Sequence, residues 1–116
     1  MSREWHHFLR DIVDARGRIR AYLTGVSRAQ FLENRQIFDA VVLNPLIMGE
    51  AVKHLPGEVK TEMDWVEWSM AARFRDLVAH HYFALDPDLV WEIATEGLTN
   101  LADAVESYLE RTANSD

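Results

Sequence analysis

Apolar residues recur at helical spacing along almost the whole chain. Trp5, Phe8, Ile12, Ala15, Ile19 and Leu23 fall at three- and four-residue steps, predicting a first helix from about Arg3 to Tyr22. Gly17 weakens it mildly. Thr24-Gly25-Val26 interrupts the pattern, and Ser27 with Gln30 three residues on forms a capping box that opens a second helix. Phe31, Ile37, Val41, Leu46, Ile47 and Ala51 populate its inner side as far as about Leu55. Pro45 sits in its middle, removes one backbone bond and crowds the Val41 carbonyl, so the pattern predicts a kink. Pro56-Gly57 ends that helix, and residues 58–63 read as a short connection of one loose turn. Asp64 with Glu67 is a second cap-like pair, predicting a third helix from Trp65 to about Phe83. Asp86-Pro87-Asp88 combines an Asp cap, proline at the first helical position and acid in the first turn. It opens a last helix to about Arg111, with Leu89, Ile93, Leu98, Leu101, Val105 and Leu109 inward and a frayed tail from Thr112 to Asp116. No run of alternating β-branched residues bounded by turns occurs. The expected fold is all-α: a single domain over 1–116, built as an antiparallel four-helix bundle with a kinked second helix.

Composition narrows the function classes. The 116 residues are 48% hydrophobic and 27% charged, which suits a folded domain and not a disordered tail. There is no cysteine, which removes disulfides, thiolate metal sites and thiol chemistry. No apolar run reaches the roughly 18 residues that span a bilayer, and the start MSREWHHFLRD carries charge where a signal peptide needs an apolar stretch. A cytoplasmic location without a membrane partner is expected. The net charge of −7 is uneven: residues 1–35 hold seven Arg against four acids, whereas 36–116 hold five Lys or Arg against fifteen acids. Only the Arg-rich first third could supply the basic footprint of a nucleic-acid binder. On charge alone, Arg side chains lying over apolar neighbours on a solvated helix face account for it better.

Five histidines invite a metal reading. His6-His7 and His80-His81 are adjacent pairs, and neighbours on a helix point about 100° apart, so neither pair clamps one ion. A carboxylate-bridged centre wants Glu-x-x-His on two helices, and only Glu4 and His7 make one. No metal or cofactor is expected. Phosphate-binding, dinucleotide and nucleophile-elbow motifs are also missing.

What remains is Arg73-Phe-Arg-Asp-Leu-Val-Ala-His-His-Tyr82. Histidine can give and take protons near neutrality, and arginine can hold charge developing on a phosphate. Together Arg75 and His80 suit metal-free phosphodiester cleavage. A polar helix end with a neighbouring Arg-Asp pair explains the same residues without chemistry. On a straight helix Arg75 and Tyr82 share a face, but His80 is about 140° round from Arg75 and about 7.5 Å along the axis. A distortion near the helix end, or a symmetric dimer that sets one motif against its copy, would focus them.

Arg75, His80 and Tyr82 resemble the R-x-x-x-x-H-x-Y signature of HEPN-domain proteins, specifically the HepT-like toxins, with a polar residue, Asp76, straight after the Arg. The segment Asn44-Pro-Leu-Ile-Met-Gly-Glu-Ala-Val-Lys-His-Leu-Pro56 is similar to that family's second-helix block, and Asp64-Trp65 and Phe83-Ala-Leu-Asp-Pro-Asp-Leu-Val-Trp91 also match family positions. The resemblance covers nearly the whole chain in order. It implies an all-helical symmetric homodimer with a composite site, acting as a metal-independent endoribonuclease in which the ribose 2′-hydroxyl attacks the adjacent phosphate and leaves a 2′,3′-cyclic phosphate. It implies that Arg75 and His80 are the catalytic pair, that Asp76 positions them, and that a minimal nucleotidyltransferase antitoxin transfers AMP to Tyr82. Bulk and negative charge there would block the phosphate site. The chain departs from the family pattern at Pro45, where Leu is usual, at Leu43, where Arg is frequent, and at His81, where an acid is common. His81 thereby becomes a candidate RNA contact. Arg75, His81 and first-helix Arg residues could converge in one cleft of the dimer. Two other readings compete: a catalytically weak helical partner or nucleotide-binding subunit of a nucleotidyltransferase, and a helical interaction protein with no nucleic-acid role.

Overall fold

A computed structural model describes residues 4–113. Every regular element among the described residues is helical. They are α1 (His6–Leu23), α2 (Arg28–Glu33), α3 (Arg35–Lys53), α4 (Gly57–Glu62), α5 (Trp68–His81), a 3₁₀ turn (Tyr82–Ala84), α6 (Pro87–Glu92), a π-helical turn (Ile93–Gly97) and α7 (Thr99–Ala113). The expected start of the first helix at Arg3 and the end of the tail at 114–116 lie outside the described residues. Thr112 and Ala113, expected to fray, close the last turn of α7.

The boundaries follow from local chemistry. Gly25 takes φ 74° and turns the chain out of α1. Ser27 then caps α2 as expected: its hydroxyl accepts from Gln30 N at 3.1 Å, and the Gln30 side chain accepts from Ser27 N at 2.8 Å. The expected second helix is two helices, because Asn34 ends α2 and its side chain accepts from Ile37 N at 3.1 Å to begin α3. α3 runs unbroken through Pro45, which is buried. The loose turn expected at 58–63 is the short helix α4.

The third helix starts at Trp68, not Trp65, and Asp64 caps nothing. The reason is the Trp68 indole, whose Nε1 donates to Met63 O at 3.0 Å and Lys60 O at 3.2 Å, tying up the loose end of α4. Met63 and Val66 are buried in the intervening turn, while Trp65 is left exposed. The last helix also divides. Asp86 caps α6 by accepting from Asp88 N at 2.9 Å, but Leu98 N then donates to Ile93 O at 3.0 Å, a five-residue step that makes the π turn.

α3 packs chiefly against α5 and α1, and α1 packs against α7. At one end of the α1–α3 seam Arg18 Nε donates to Asn44 Oδ1 at 2.8 Å; at the other Phe8 stacks on His54 with ring centroids 4.6 Å apart. The two helices are therefore antiparallel. α3 and α5 are antiparallel too, since Asp39 meets Tyr82 and Glu50 meets Arg75. One core joins α1, α3, α4, α5 and α7; a second gathers Phe31, Phe38, Val41, Val42, Phe74, Val78, Leu85 and Val90. Most residues expected inward are buried or half-buried. Leu89 is the exception, 37% exposed, because α6 turns Val90 to the core instead.

Arg16 joins α1 to α7. It is buried and its guanidinium donates to Asp103 and, at 2.9 Å, to Glu106. Burial works against its charge, yet the two carboxylates outweigh that and hold its pKa above the ordinary arginine value.

The closest approach in the fold is at Gly49. A β-carbon there would lie 2.3 Å from Arg75 Cβ and 2.5 Å from Ala71 O. Hydrogen alone fits, so α3 and α5 touch backbone to backbone. Gly49→Ala forces the seam apart and is expected to cost about 2 kcal/mol, lowering Tm by roughly 10 °C. Thermal denaturation followed by circular dichroism measures it; an unchanged Tm would show that the seam tolerates spreading.

Candidate functional site

The buried positions of α5, Trp68, Ala71, Phe74 and Val78, face the core. That places Arg75 and Asp76 at the edge of the α3–α5 seam, half-buried, and His80 and His81 in solvent. α5 stays regular through His80, so the offset of about 140° between Arg75 and His80 persists within one chain. The backbone departs from helix only at His81 (φ −133°, ψ 29°), where the 3₁₀ turn begins. That distortion redirects Tyr82. It comes too late to bring His80 toward Arg75.

Arg75 is held from two sides. Its Nε lies 2.8 Å from Glu50 Oε2 as an ion pair; both atoms are closed to solvent and neither makes an aligned hydrogen bond. Its Nη1 donates to Asp76 Oδ1 at 3.2 Å, and the same oxygen accepts from Lys53 Nζ. Nη2 keeps no partner among the described residues. Glu50 and Lys53 thus oppose Arg75 and Asp76 in a two-by-two charge clamp across the seam. His54 closes the outer side with Nε2 3.1 Å from Glu50 Oε1. Hydrogen bonding to His54, then the charge of Arg75, holds the Glu50 carboxyl below its usual range. Lys53, with Arg75 adding, does the same for Asp76. Groups with lowered pKa contribute fully above the ordinary carboxylate range and lose that contribution only as pH falls through the lowered values. The two carboxylates of the clamp therefore stay charged throughout the neutral range.

Asp76 reaches Arg75 but makes no hydrogen bond to His80, which has no hydrogen-bond or ion-pair partner among the described residues. Tyr82 is half-buried. Its hydroxyl donates to Asp39, its ring lies 5.0 Å from the Arg35 guanidinium, and Phe38 packs beside it at 6.4 Å. Arg35 Nε also contacts Asp39 at 3.2 Å. The hydrogen bond to Tyr82 raises the Arg35 pKa despite some desolvation.

Four arginines of the first third are engaged within the chain. Arg16 is spent on α7, Arg18 on Asn44, Arg28 on Asp88 and Arg35 on Asp39 and the Tyr82 ring. Of the first-helix arginines, Arg10 and Arg20 stay exposed. Among the described residues no group of three or more His, Asp or Glu is placed to share a metal ion, and no helix is long and apolar enough to cross a membrane. Sequence reasoning did not single out Glu50, Lys53 and Asp39 as site residues. The signal for the first two was present: Glu50 and Lys53 stand three apart on the helix that carries Gly49, with signs opposite to Arg75-Asp76.

The family model described as "HepT-like: Ribonuclease HepT-like" matches residues 12–108. Among curated proteins, "Putative RNase MJ0127" of Methanocaldococcus jannaschii is 28% identical over 94% of this chain and 90% of its own. "Probable ribonuclease HepT" of Thermococcus cleftensis is 29% identical over 91% of this chain and 96% of its own. "Putative RNase TTE0752" of Caldanaerobacter subterraneus subsp. tengcongensis is 31% identical over 75% of this chain and 78% of its own. No solved structure matches. The family model takes in both the α3 block that carries the clamp and the α5 block that carries Arg75 and His80, and the chain belongs to the HepT-like ribonuclease family.

Proposed function

We propose that the chain is a metal-independent endoribonuclease and the toxin of a pair whose antitoxin is a minimal nucleotidyltransferase, working in the cytoplasm as a symmetric homodimer of HEPN-like four-helix bundles. The observation that carries this is Arg75: two of its nitrogens are fixed by Glu50 and Asp76, and the third is left for an oxyanion. A guanidinium preoriented in this way stabilises charge on a phosphate as it develops. His80 takes the proton of the ribose 2′-hydroxyl. The 2′-oxygen bonds to phosphorus, the bond to the 5′-oxygen breaks, and that oxygen takes a proton from water while His80 gives its own back to solvent, leaving a 2′,3′-cyclic phosphate and a 5′-hydroxyl. His81, exposed beside it, contacts the RNA backbone.

The offset between Arg75 and His80 supports the dimer. No distortion within α5 closes it, so Arg75 of one copy works with His80 of the other. Leu43 is 53% exposed and Phe83 is 98% exposed. Leu43 is one turn along α3 from Asp39, the Tyr82 partner, and Phe83 follows Tyr82, so both flank the motif with apolar surface that a second copy would cover. Tyr82 suits an AMP acceptor. Its hydroxyl already leans on the Asp39 carboxylate, which polarises it toward an incoming phosphorus, and Arg35 stands by for the phosphate.

Purified wild-type protein is expected to cut RNA in EDTA and leave cyclic phosphate ends, and His80→Ala to lose at least about a hundredfold of that rate. End-group analysis reads the products. Cleavage by Arg75→Ala or His80→Ala at the wild-type rate overturns the site. No cleavage by wild type, with Tyr82 shown unmodified by mass, points instead to a partner-binding or nucleotide-binding subunit. Mixing Arg75→Ala with His80→Ala restores about a quarter of wild-type activity if each site draws on both copies, because half the dimers are mixed and each has one intact site. A monodisperse monomer at micromolar concentration, seen by light scattering, overturns the composite site. Glu50→Gln keeps the shape and removes the charge. It is expected to lower kcat about tenfold or more through a misplaced Arg75, with Tm little changed; unaltered kcat would show that Arg75 needs no such support.

A further inference from the structure

An open groove of about 270 Å³ runs between α1 and α3 and ends at Arg75. Phe8, Leu46, Ile47 and Ala51 are its apolar lining, and Asp11, Glu50 and Arg75 its polar lining. We infer that this groove is the base subsite of the RNA substrate and that it takes a guanine next to the phosphate held by Arg75. The inference rests on the ribonuclease reading above.

Three observations carry it. Phe8 is held by two histidines: its ring lies parallel to His54 with centroids 4.6 Å apart and planes 9° from parallel, and His7 tilts against it at 3.9 Å. The part of this half-buried ring that lines the groove gives a nucleobase a fixed aromatic surface to stack against. The groove is also continuous with Arg75, so a base seated in it brings its own phosphate to the free Nη2. Finally, Asp11 is half-buried in the lining and has no hydrogen-bond or ion-pair partner among the described residues. Glu50, the other carboxylate, is occupied by Arg75 and His54. The free polar chemistry of the groove is thus a pure double acceptor. Guanine presents two adjacent donors, N1–H and the 2-amino group, that match both oxygens of one carboxylate. Adenine and cytosine pair one donor group with a ring acceptor that the carboxylate repels. Uracil flanks its single N–H with two carbonyls. The same carboxylate repels a bare phosphate, so the groove takes the base and leaves the anion to Arg75.

The test has two arms on the full-length dimer. Cleavage sites are mapped on a random-sequence RNA with wild type, Asp11→Asn and Phe8→Ala, and direct binding of GMP and UMP to wild type is followed by NMR shifts of the groove residues. Expected are a preference for guanine of about tenfold, its loss in Asp11→Asn with cleavage elsewhere within about twofold, and a weaker grip on every base in Phe8→Ala. GMP should shift the groove residues at about a tenfold lower concentration than UMP does. Wild-type cleavage without base preference, or a preference that Asp11→Asn leaves intact, overturns the subsite and leaves the ribonuclease reading standing. GMP binding in the groove by a protein that cuts no RNA upholds the subsite as a guanine site while the ribonuclease reading fails. Dissociation of the dimer by Phe8→Ala, with base preference unchanged, assigns the groove to the second copy and overturns the proposal.

Discussion

The site depends on how closely α3 and α5 approach at Gly49. With no side chain there, the two helices meet through Ala71 O and the Arg75 stem, and every polar contact at the seam is set by that separation. Glu50 follows Gly49 directly, so its carboxylate arrives at Arg75 Nε. Lys53, one turn further on, arrives at Asp76. A wider seam would admit water between Glu50 and Arg75 and return them to the weak, mobile pairing of an exposed surface. The seam closes solvent off from Glu50 Oε2 and Arg75 Nε, so their attraction acts at lower local dielectric. One missing methyl group thus turns two facing charge pairs into a rigid frame.

The helical nature of the chain and most of its core were legible in the spacing of apolar residues, because a 3.6-residue period leaves a plain trace wherever a helix buries one face. The breaks were harder to see. Asn34 reads as an ordinary polar residue inside a helix until its amide is found capping Ile37. The π turn was written in the inward set itself: Ile93 and Leu98 stand five apart where four is the helical step, and one extra residue in the turn absorbs the difference. Asp64 misled because a local cap signal competed with a tertiary one. The Trp68 indole satisfied the end of α4, buried Met63 and Val66 held the turn, and the helix began after them.

Within the site, Arg75, His80 and Tyr82 were legible as residue types, and the family match includes the stretch that carries them. The company each keeps was not. Contacts such as Tyr82 with Asp39 join residues 43 apart in sequence, and no local period reports them. Arginine count misled in the same way. Seven arginines in the first third suggest a basic face, yet the fold spends Arg16, Arg18, Arg28 and Arg35 on partners within the chain.

That internal spending of arginine bears on how a polyanion would be held. Each phosphate neutralised by a free cation releases bound counterions, and the number released sets how steeply binding weakens with salt. A surface whose cations are already neutralised by its own carboxylates releases few. The arginines neutralised in this way would release none, so the ionic gain would fall to exposed cations such as Arg10, Arg20 and Arg73. Such a nuclease would lose its hold on RNA with rising salt more gently than its arginine count suggests.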